Sequence, residues 1–261
     1  MTSRDQRRRE LARERYERQE ARRTQKQQRT QRRQRILVLA VVAVLVLGMG
    51  TGLVLSLLSR DDGTAGAAAT EAAGPCQYLT LPAANQTDVG LPPADPGDLG
   101  PLTATMTLNG EPVTLTLDSE GAPCTVSSWQ FLAANDFFDG TPCHRLTDTA
   151  TLKVLQCGDP SGTGTGGPGY RFAEENLEGA TYGPGTVAMA NTGGEVSTGS
   201  QFFLVWGDTQ LPPTYTVVGQ VSEGLDVLTG IADVGSVDGA TDGEPAEPVT
   251  LDDLVVERSP A

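Results

Sequence analysis

"TATMTLNGEPVTLTL", residues 103–117, is the stretch on which the fold turns. Two runs of alternating apolar and polar residues flank Asn109-Gly110. A period of two is the signature of a half-buried strand. Asn-Gly tolerates the positive φ that a tight two-residue connection requires. The stretch therefore predicts an antiparallel β-hairpin.

Segments of the same kind recur beyond the hairpin. "CHRLT" (143–147), "LKVLQCG" (152–158), "GTVAMAN" (185–191), "SQFFLVW" (200–206), "YTVVGQV" (215–221) and "VTLDDLVVE" (249–257) read as further strands. Two segments have a helical period instead. In "APCTVSSWQFLAAND" (122–136), Pro123 suits a first helical turn and Val126, Trp129 and Leu132 share one face. In "EGLDVLTGIADV" (223–234), Leu225, Leu228 and Ile231 do the same. Eight strands and two helices predict a mainly β domain over residues 101–258. Its expected form is an eight-stranded antiparallel closed barrel, filled by side chains and capped by the two helices.

Ahead of this domain the composition changes sharply. Residues 1–35 carry 14 Lys+Arg and 5 Asp+Glu, whereas residues 36–261 carry 5 and 28. Between the basic tail and the acidic remainder lies Ile36 to Leu58, 23 residues without a charge. At 1.5 Å per residue this run spans a hydrocarbon core of roughly 30 Å and reads as one transmembrane helix. It is longer than the roughly 7–15 residues of a signal-peptide core, which favours an uncleaved anchor. Arg29, Arg32, Arg33 and Arg35 crowd its start, so the tail is expected in the cytoplasm and the C-terminal domain outside. The tail itself reads as a solvated segment that can adhere to anionic lipid, and no nucleic-acid partner is expected. Residues 59–100, rich in Gly, Ala, Pro, Thr and Asp, read as a flexible extracytoplasmic linker. All four cysteines (Cys76, Cys124, Cys143, Cys157) fall on the outer side. They fit an oxidising compartment with one or two disulfides, and three pairings are open.

Several chemistries find no support in the residues. One histidine and four scattered cysteines do not make a metal site, and no cofactor is implied. C-x-x-C is absent, and no G-x-S-x-G accompanies His144. "GTGTGG" (162–167) matches G-x-G-x-x-G but runs into Pro168-Gly169-Tyr170, where a dinucleotide site needs a helix; it reads as an irregular surface loop. His144 reads as a packed side chain holding a hydrogen bond. Arg145 beside it is one of only four cations beyond residue 60. It reads either as a structural ion-pair partner or as a fixed donor.

"FFDGTPCHRL", "LQCGDPSGTGTGGPGY", "AMANTGG", "TGSQFF" and "YTVVGQVSEGLDVL" occur in this order between residues 137 and 228. Together they resemble a cyclophilin, the family of peptidyl-prolyl cis-trans isomerases. The variant spelling of the first two is similar to membrane-anchored cyclophilins of actinobacteria. The resemblance covers roughly residues 102–257 and implies the same eight-stranded, two-helix barrel. It implies that Arg145 and Gln156 are catalytic. It further implies that Val154, Phe203 and Leu211 line a proline pocket, with Tyr215 at a position that varies between histidine and aromatics. The backbone of Ala190 and Asn191 would hold the substrate residue before proline, and Gln201 would also bind substrate. Implied partners are proline-containing polypeptides, and a monomer is expected. Two departures stand out: Lys153 falls where a phenylalanine is usual and Gln210 where an aromatic is. They favour an alternative, a proline-directed peptide-binding or chaperone module with weak or no turnover.

Overall fold

The computed structural model describes residues 74–81, 86–194 and 196–259. The basic tail and Ile36–Leu58 lie outside the described residues. Among those described, no helix is long and apolar enough to cross a membrane.

The elements follow in chain order. Strand β1 is Leu79–Thr80, β2 Leu102–Leu108 and β3 Glu111–Leu117. Helix α1 is Pro123–Ala133. Strands β4 (Thr141–Pro142), β5 (Arg145–Asp148), β6 (Lys153–Cys157), β7 (Tyr170–Arg171), β8 (Thr186–Asn191), β9 (Thr198–Val205) and β10 (Val217–Glu223) come next. Helix α2 is Leu225–Val234, followed by β11 (Asp242–Gly243) and β12 (Thr250–Arg258). All eight expected strands and both expected helices are present. The four additional strands, β1, β4, β7 and β11, are two residues each.

The hairpin forms as its sequence dictates. Asn109 and Gly110 take φ of 50° and 82°, and β2 pairs β3 from Leu108↔Glu111 outward to Thr103↔Thr116. Alternate residues Leu102, Ala104, Met106 and Leu108 are buried. β12 covers the other edge of β2, and β10 the other edge of β3.

Among the described residues, ten strands form one antiparallel sheet in the order β11-β5-β6-β9-β8-β10-β3-β2-β12-β4. The sheet is a curled half-barrel rather than the closed eight-stranded cylinder expected, because among the described residues no pairing joins β11 to β4. The chain itself bridges the two end regions: Cys143 and His144 carry it directly from β4 to β5. The Cys143 amide still bonds the Val249 carbonyl at 2.8 Å. Helix α1 packs Val126, Trp129 and Leu132 into the core, where the Trp129 ring lies 4.7 Å from Phe202 and 6.0 Å from Phe138. No side chain at Ala122 caps α1. Instead the Glu175 carboxylate accepts from the Cys124 and Thr125 amides at 3.0 and 2.8 Å, placing an anion at the positive end of the helix.

Flexibility over 59–100 does not extend to the described part of that range. Cys76 is disulfide-bonded to Cys124 and β1 pairs antiparallel with β7. Tyr78 packs edge-on against Tyr170 and Phe172, and its hydroxyl donates to the Cys124 carbonyl at 2.8 Å. Composition marked the region as poor in apolar residues, but one cysteine, one tyrosine and several backbone hydrogen bonds tie its described part to the domain. The second disulfide joins Cys143 to Cys157.

Candidate active site

Strand register assembles the site. Arg145 on β5 sits opposite Gln156 on β6, Gln156 opposite Phe203 on β9, and Phe203 opposite Ala188 on β8. Directly opposed residues share a face. The neighbouring row, Leu146, Leu155, Leu204 and Val187, is fully buried on the other face and forms core. One side of the sheet thus fills the interior and the other presents Arg145, Gln156 and Phe203. Gln201, two residues before Phe203, lies on that same side. β9 reaches this register because the chain beyond β6 passes very close to it: Gly158 has φ of 82°, and a Cβ there would stand 2.4 Å from the Ser200 carbonyl oxygen.

Arg145 is fixed at one end and available at the other. Its Nε and Nη2 donate to the two Asp242 carboxylate oxygens at 2.7 and 2.8 Å, and its Nη1 donates to Gln156 Oε1 at 3.2 Å. A guanidinium has five N–H donors, so two remain for a ligand. The Asp242 carboxylate raises the Arg145 pKa, and the Arg145 hydrogen bond holds Asp242 below the usual carboxylate range. The polar chain continues. Gln156 Nε2 donates to Gln201 Oε1 at 2.9 Å, and Gln201 Nε2 donates to the Gly166 carbonyl at 3.0 Å. The ion pair expected of Arg145 is present, and it leaves part of the guanidinium free to donate.

Beside the guanidinium lies a cavity of about 170 Å³. Eight of the nine expected site residues line it: Arg145, Val154, Gln156, Ala190, Asn191, Phe203, Leu211 and Tyr215. Gln201 lines the adjoining cavity described below. The apolar wall is a small cluster outside the main core. In it the Tyr215 ring meets Phe203 edge-on at 5.4 Å, and Tyr182 lies 6.0 Å from Tyr215. Tyr182 locks the wall, donating to the Tyr215 carbonyl at 2.8 Å and accepting from the Tyr215 amide at 3.0 Å. Asn191 Nδ2 donates to the Thr214 carbonyl at 2.7 Å, tying β8 to the segment that carries Leu211 and Tyr215.

A second cavity, of about 320 Å³, adjoins the first and shares Gln156, Ala190 and Asn191 with it. Residues 164–168 of the glycine-rich loop form one side. No helix follows that loop, in keeping with the sequence, but it is more than surface. It wraps the buried Asp159, which accepts from the Ser161 and Gly166 amides at 2.8 and 3.1 Å.

Sequence reasoning missed three contributors. Asp242 clamps Arg145 from 97 positions away, and nothing in its surroundings distinguishes it from the other acids. Tyr182 lies in a loop. Leu152 lines the cavity, whereas Lys153 does not. Lys153 turns outward, 2.6 Å from Asp148 and 4.5 Å over the Trp206 ring. Leu152 adds to the apolar wall of the cavity. Gln210 is likewise absent from the lining, and its amide donates to the Thr151 carbonyl at 2.8 Å. His144 lies outside both linings, and the hydrogen bond expected of it is not made at Nδ1, which is buried without a partner. Burial pushes its imidazole below the usual 6.5, Arg145 acts in the same direction, and Asp159 opposes them.

The chain is 42% identical over 200 residues to the probable peptidyl-prolyl cis-trans isomerase B of Mycobacterium tuberculosis, a match covering 70% of this chain and 64% of the relative. It is 45% identical over 172 residues to the probable peptidyl-prolyl cis-trans isomerase B of Mycobacterium leprae, covering 61% and 58%. The chain thus spans about three fifths of the length of these relatives. In fold it is similar to a cyclophilin type peptidyl-prolyl cis-trans isomerase of Cryptosporidium parvum, solved in the presence of the dipeptide Ala-Pro. The TM-score is 0.52 at 23% identity, covering 60% of this chain and 99% of that one. The model of the cyclophilin type peptidyl-prolyl cis-trans isomerase family matches residues 103–256, from the first strand of the hairpin to the last strand of the sheet. With Arg145, Gln156, Gln201 and Phe203 gathered on one face of that sheet, the chain belongs to the cyclophilin type peptidyl-prolyl cis-trans isomerase family.

Proposed function

We propose that the domain accelerates rotation about X–Pro bonds of extracytoplasmic polypeptides, with no covalent intermediate and no metal. The observation that carries this reading is a clamped guanidinium with two uncommitted N–H groups at the mouth of a small apolar cavity. At about 170 Å³ the cavity is below the roughly 300–1,000 Å³ of a typical small-molecule pocket and suits a single ring. An X–Pro bond resists rotation by about 18–20 kcal/mol because the nitrogen lone pair is delocalised into the carbonyl. In the twisted state that delocalisation is lost and the nitrogen becomes a pyramidal acceptor. Phe203, Val154, Leu211 and Leu152 would grip the ring and exclude water. Arg145 would then donate to the prolyl nitrogen or carbonyl more strongly in the twisted state than in either planar one, and that difference lowers the barrier. Gln156 orients the guanidinium, and Ala190, Asn191 and Gln201 are placed to hold the residue before proline. The alternative of a weakly active binding module loses its main support, because Lys153 and Gln210 stay out of the cavity wall.

The domain is further proposed to stand outside a cell membrane, held by Ile36–Leu58 with the basic tail inside, as in a membrane-anchored actinobacterial cyclophilin. The charge asymmetry about that segment and four cysteines paired in two disulfides support this placement. The test of activity is exchange NMR on an Ala-Pro peptide. Catalytic amounts of the chain should broaden and merge the cis and trans signals, whereas unaltered signals would defeat the isomerase reading. Protease added to intact cells should remove the C-terminal domain and spare the tail; the reverse would overturn the orientation.

A further inference from the structure

We infer that residues 74–81 and 86–88, which precede the region matched by the family model, are a working part of the active site. They form a wall of the second cavity and thereby set affinity for the polypeptide segment flanking the proline. The inference rests on the proline-pocket reading of the first cavity. Leu81 and Gln86 line the second cavity directly.

The segment is held there at both ends. Cys76 is buried and bonded to Cys124 on α1, and β1 pairs with β7. The Leu81 amide then donates to the Gly169 carbonyl and the Thr87 amide to the Gly167 carbonyl, each at 2.8 Å. Gln86 makes a bridge with Gly167, and its Oε1 accepts from the Gly169 amide at 3.3 Å. These contacts seat the glycine-rich loop from outside. From inside, the same loop offers the Gly166 carbonyl to Gln201. Asp159 and Gln201 thus hold the loop from within, and the N-terminal segment supplies its outer support.

The contact is close enough to be read from both partners. A Cβ at Gly167 would stand 2.9 Å from Gln86 Oε1, so a side chain there must displace the glutamine. Gly167 does not need positive φ, so alanine is sterically opposed only by that contact. Because Gln156, Ala190 and Asn191 are common to both cavities, a chain whose proline occupies the first continues into the second. The second cavity is lined by polar groups, among them Gln86, Gln201, Ser200 and Arg171, and takes an extended segment with hydrogen-bonding side chains. Asp242 clamps Arg145 directly, whereas the loop reaches it only through Gln201 and Gln156, so the wall acts chiefly on binding.

The test uses the full chain in detergent micelles and two peptides, Ala-Pro-Phe amide and the same peptide extended at its N-terminus by Gln-Gln. Affinity is measured by titration calorimetry, which does not depend on turnover. The wild-type chain should bind the extended peptide at least about fivefold more tightly. Gln86→Ala and Gly167→Ala should each remove most of that preference, leave affinity for the short peptide within about twofold, and leave the thermal midpoint nearly unchanged. Equal affinities for the two peptides in the wild type, or a preference that survives in both variants, overturns the inference. A preserved preference in a wild-type chain that fails to catalyse exchange counts against the isomerase reading alone.

Discussion

At the scale of single residues, the decisive contrast is between neighbours. Arg145 is aimed by Asp242 and Gln156, whereas His144 is turned into the protein with its Nδ1 unpartnered. The proposed chemistry accounts for the difference, because it calls for a permanent donor and not a titrating one. The Asp242 side chain is about half exposed, so its pair with Arg145 is worth about 0.2–1 kcal/mol. Asp242→Ala should thus slow exchange by no more than about fivefold, measured by exchange NMR. A loss as large as that from removing Arg145 would mean that the carboxylate does more than position. His144 makes a pH prediction. Its folded pKa lies below its unfolded 6.5, so between those values the unfolded chain holds more protons. The stability it contributes is present above pH 6.5 and is lost as pH falls through that value toward the folded pKa. Denaturant midpoints at about pH 7.5 and 5.5 should fall less in His144→Gln than in the wild type. Equal falls would show that the histidine is not the group responsible. Arg145, Gln156 and Phe203 were legible as candidates because each lies in a strand with a distinctive local spelling, whereas Leu211 and Tyr215 lie outside the strands. Asp242 was not: an acid in an acid-rich loop acquires meaning only when the fold brings it to Arg145.

At the scale of elements, strands and helices were legible because burial on one face imposes a period, as in Leu102, Ala104, Met106 and Leu108 along β2. The two-residue strands carry no such pattern. Closure of the sheet was not legible either, since it depends on whether short end strands pair. The segment before residue 100 misled for a different reason. Its composition favours disorder, but the Cys76–Cys124 bond spans 48 positions and restricts the unfolded chain. Removing it with Cys76→Ser and Cys124→Ser should cost about 2–4 kcal/mol, read from the shift of a urea midpoint. No shift would mean that the segment is bound by its other contacts alone. Trp129 tests the helix that caps the core: fully buried against Phe138 and Phe202, it should cost about 3–5 kcal/mol when replaced by alanine.

For the whole molecule, the division of charge about Ile36–Leu58 was plain in the sequence, and it is the ground for proposing a tethered domain. Because the domain is anchored from Cys76 onward, limited proteolysis should stop before residue 74 and leave one compact fragment, identifiable by mass. Cleavage within residues 86–100 would contradict the packing of that segment. In the proposed mechanism a fixed guanidinium lowers the barrier to X–Pro rotation. Its most direct test is the exchange rate of an Ala-Pro peptide with the folded full chain, comparing wild type, Arg145→Ala and Arg145→Lys. Loss of such a donor typically costs about 2.7–4 kcal/mol. Arg145→Ala should therefore turn over roughly a hundred- to a thousandfold more slowly, with Arg145→Lys recovering only part of the rate because a point charge on a flexible stem does not reproduce the fork. The wild-type rate should be nearly flat between about pH 6.5 and 8. An Arg145→Ala chain that stays folded and catalyses exchange within a fewfold of the wild type would contradict the account.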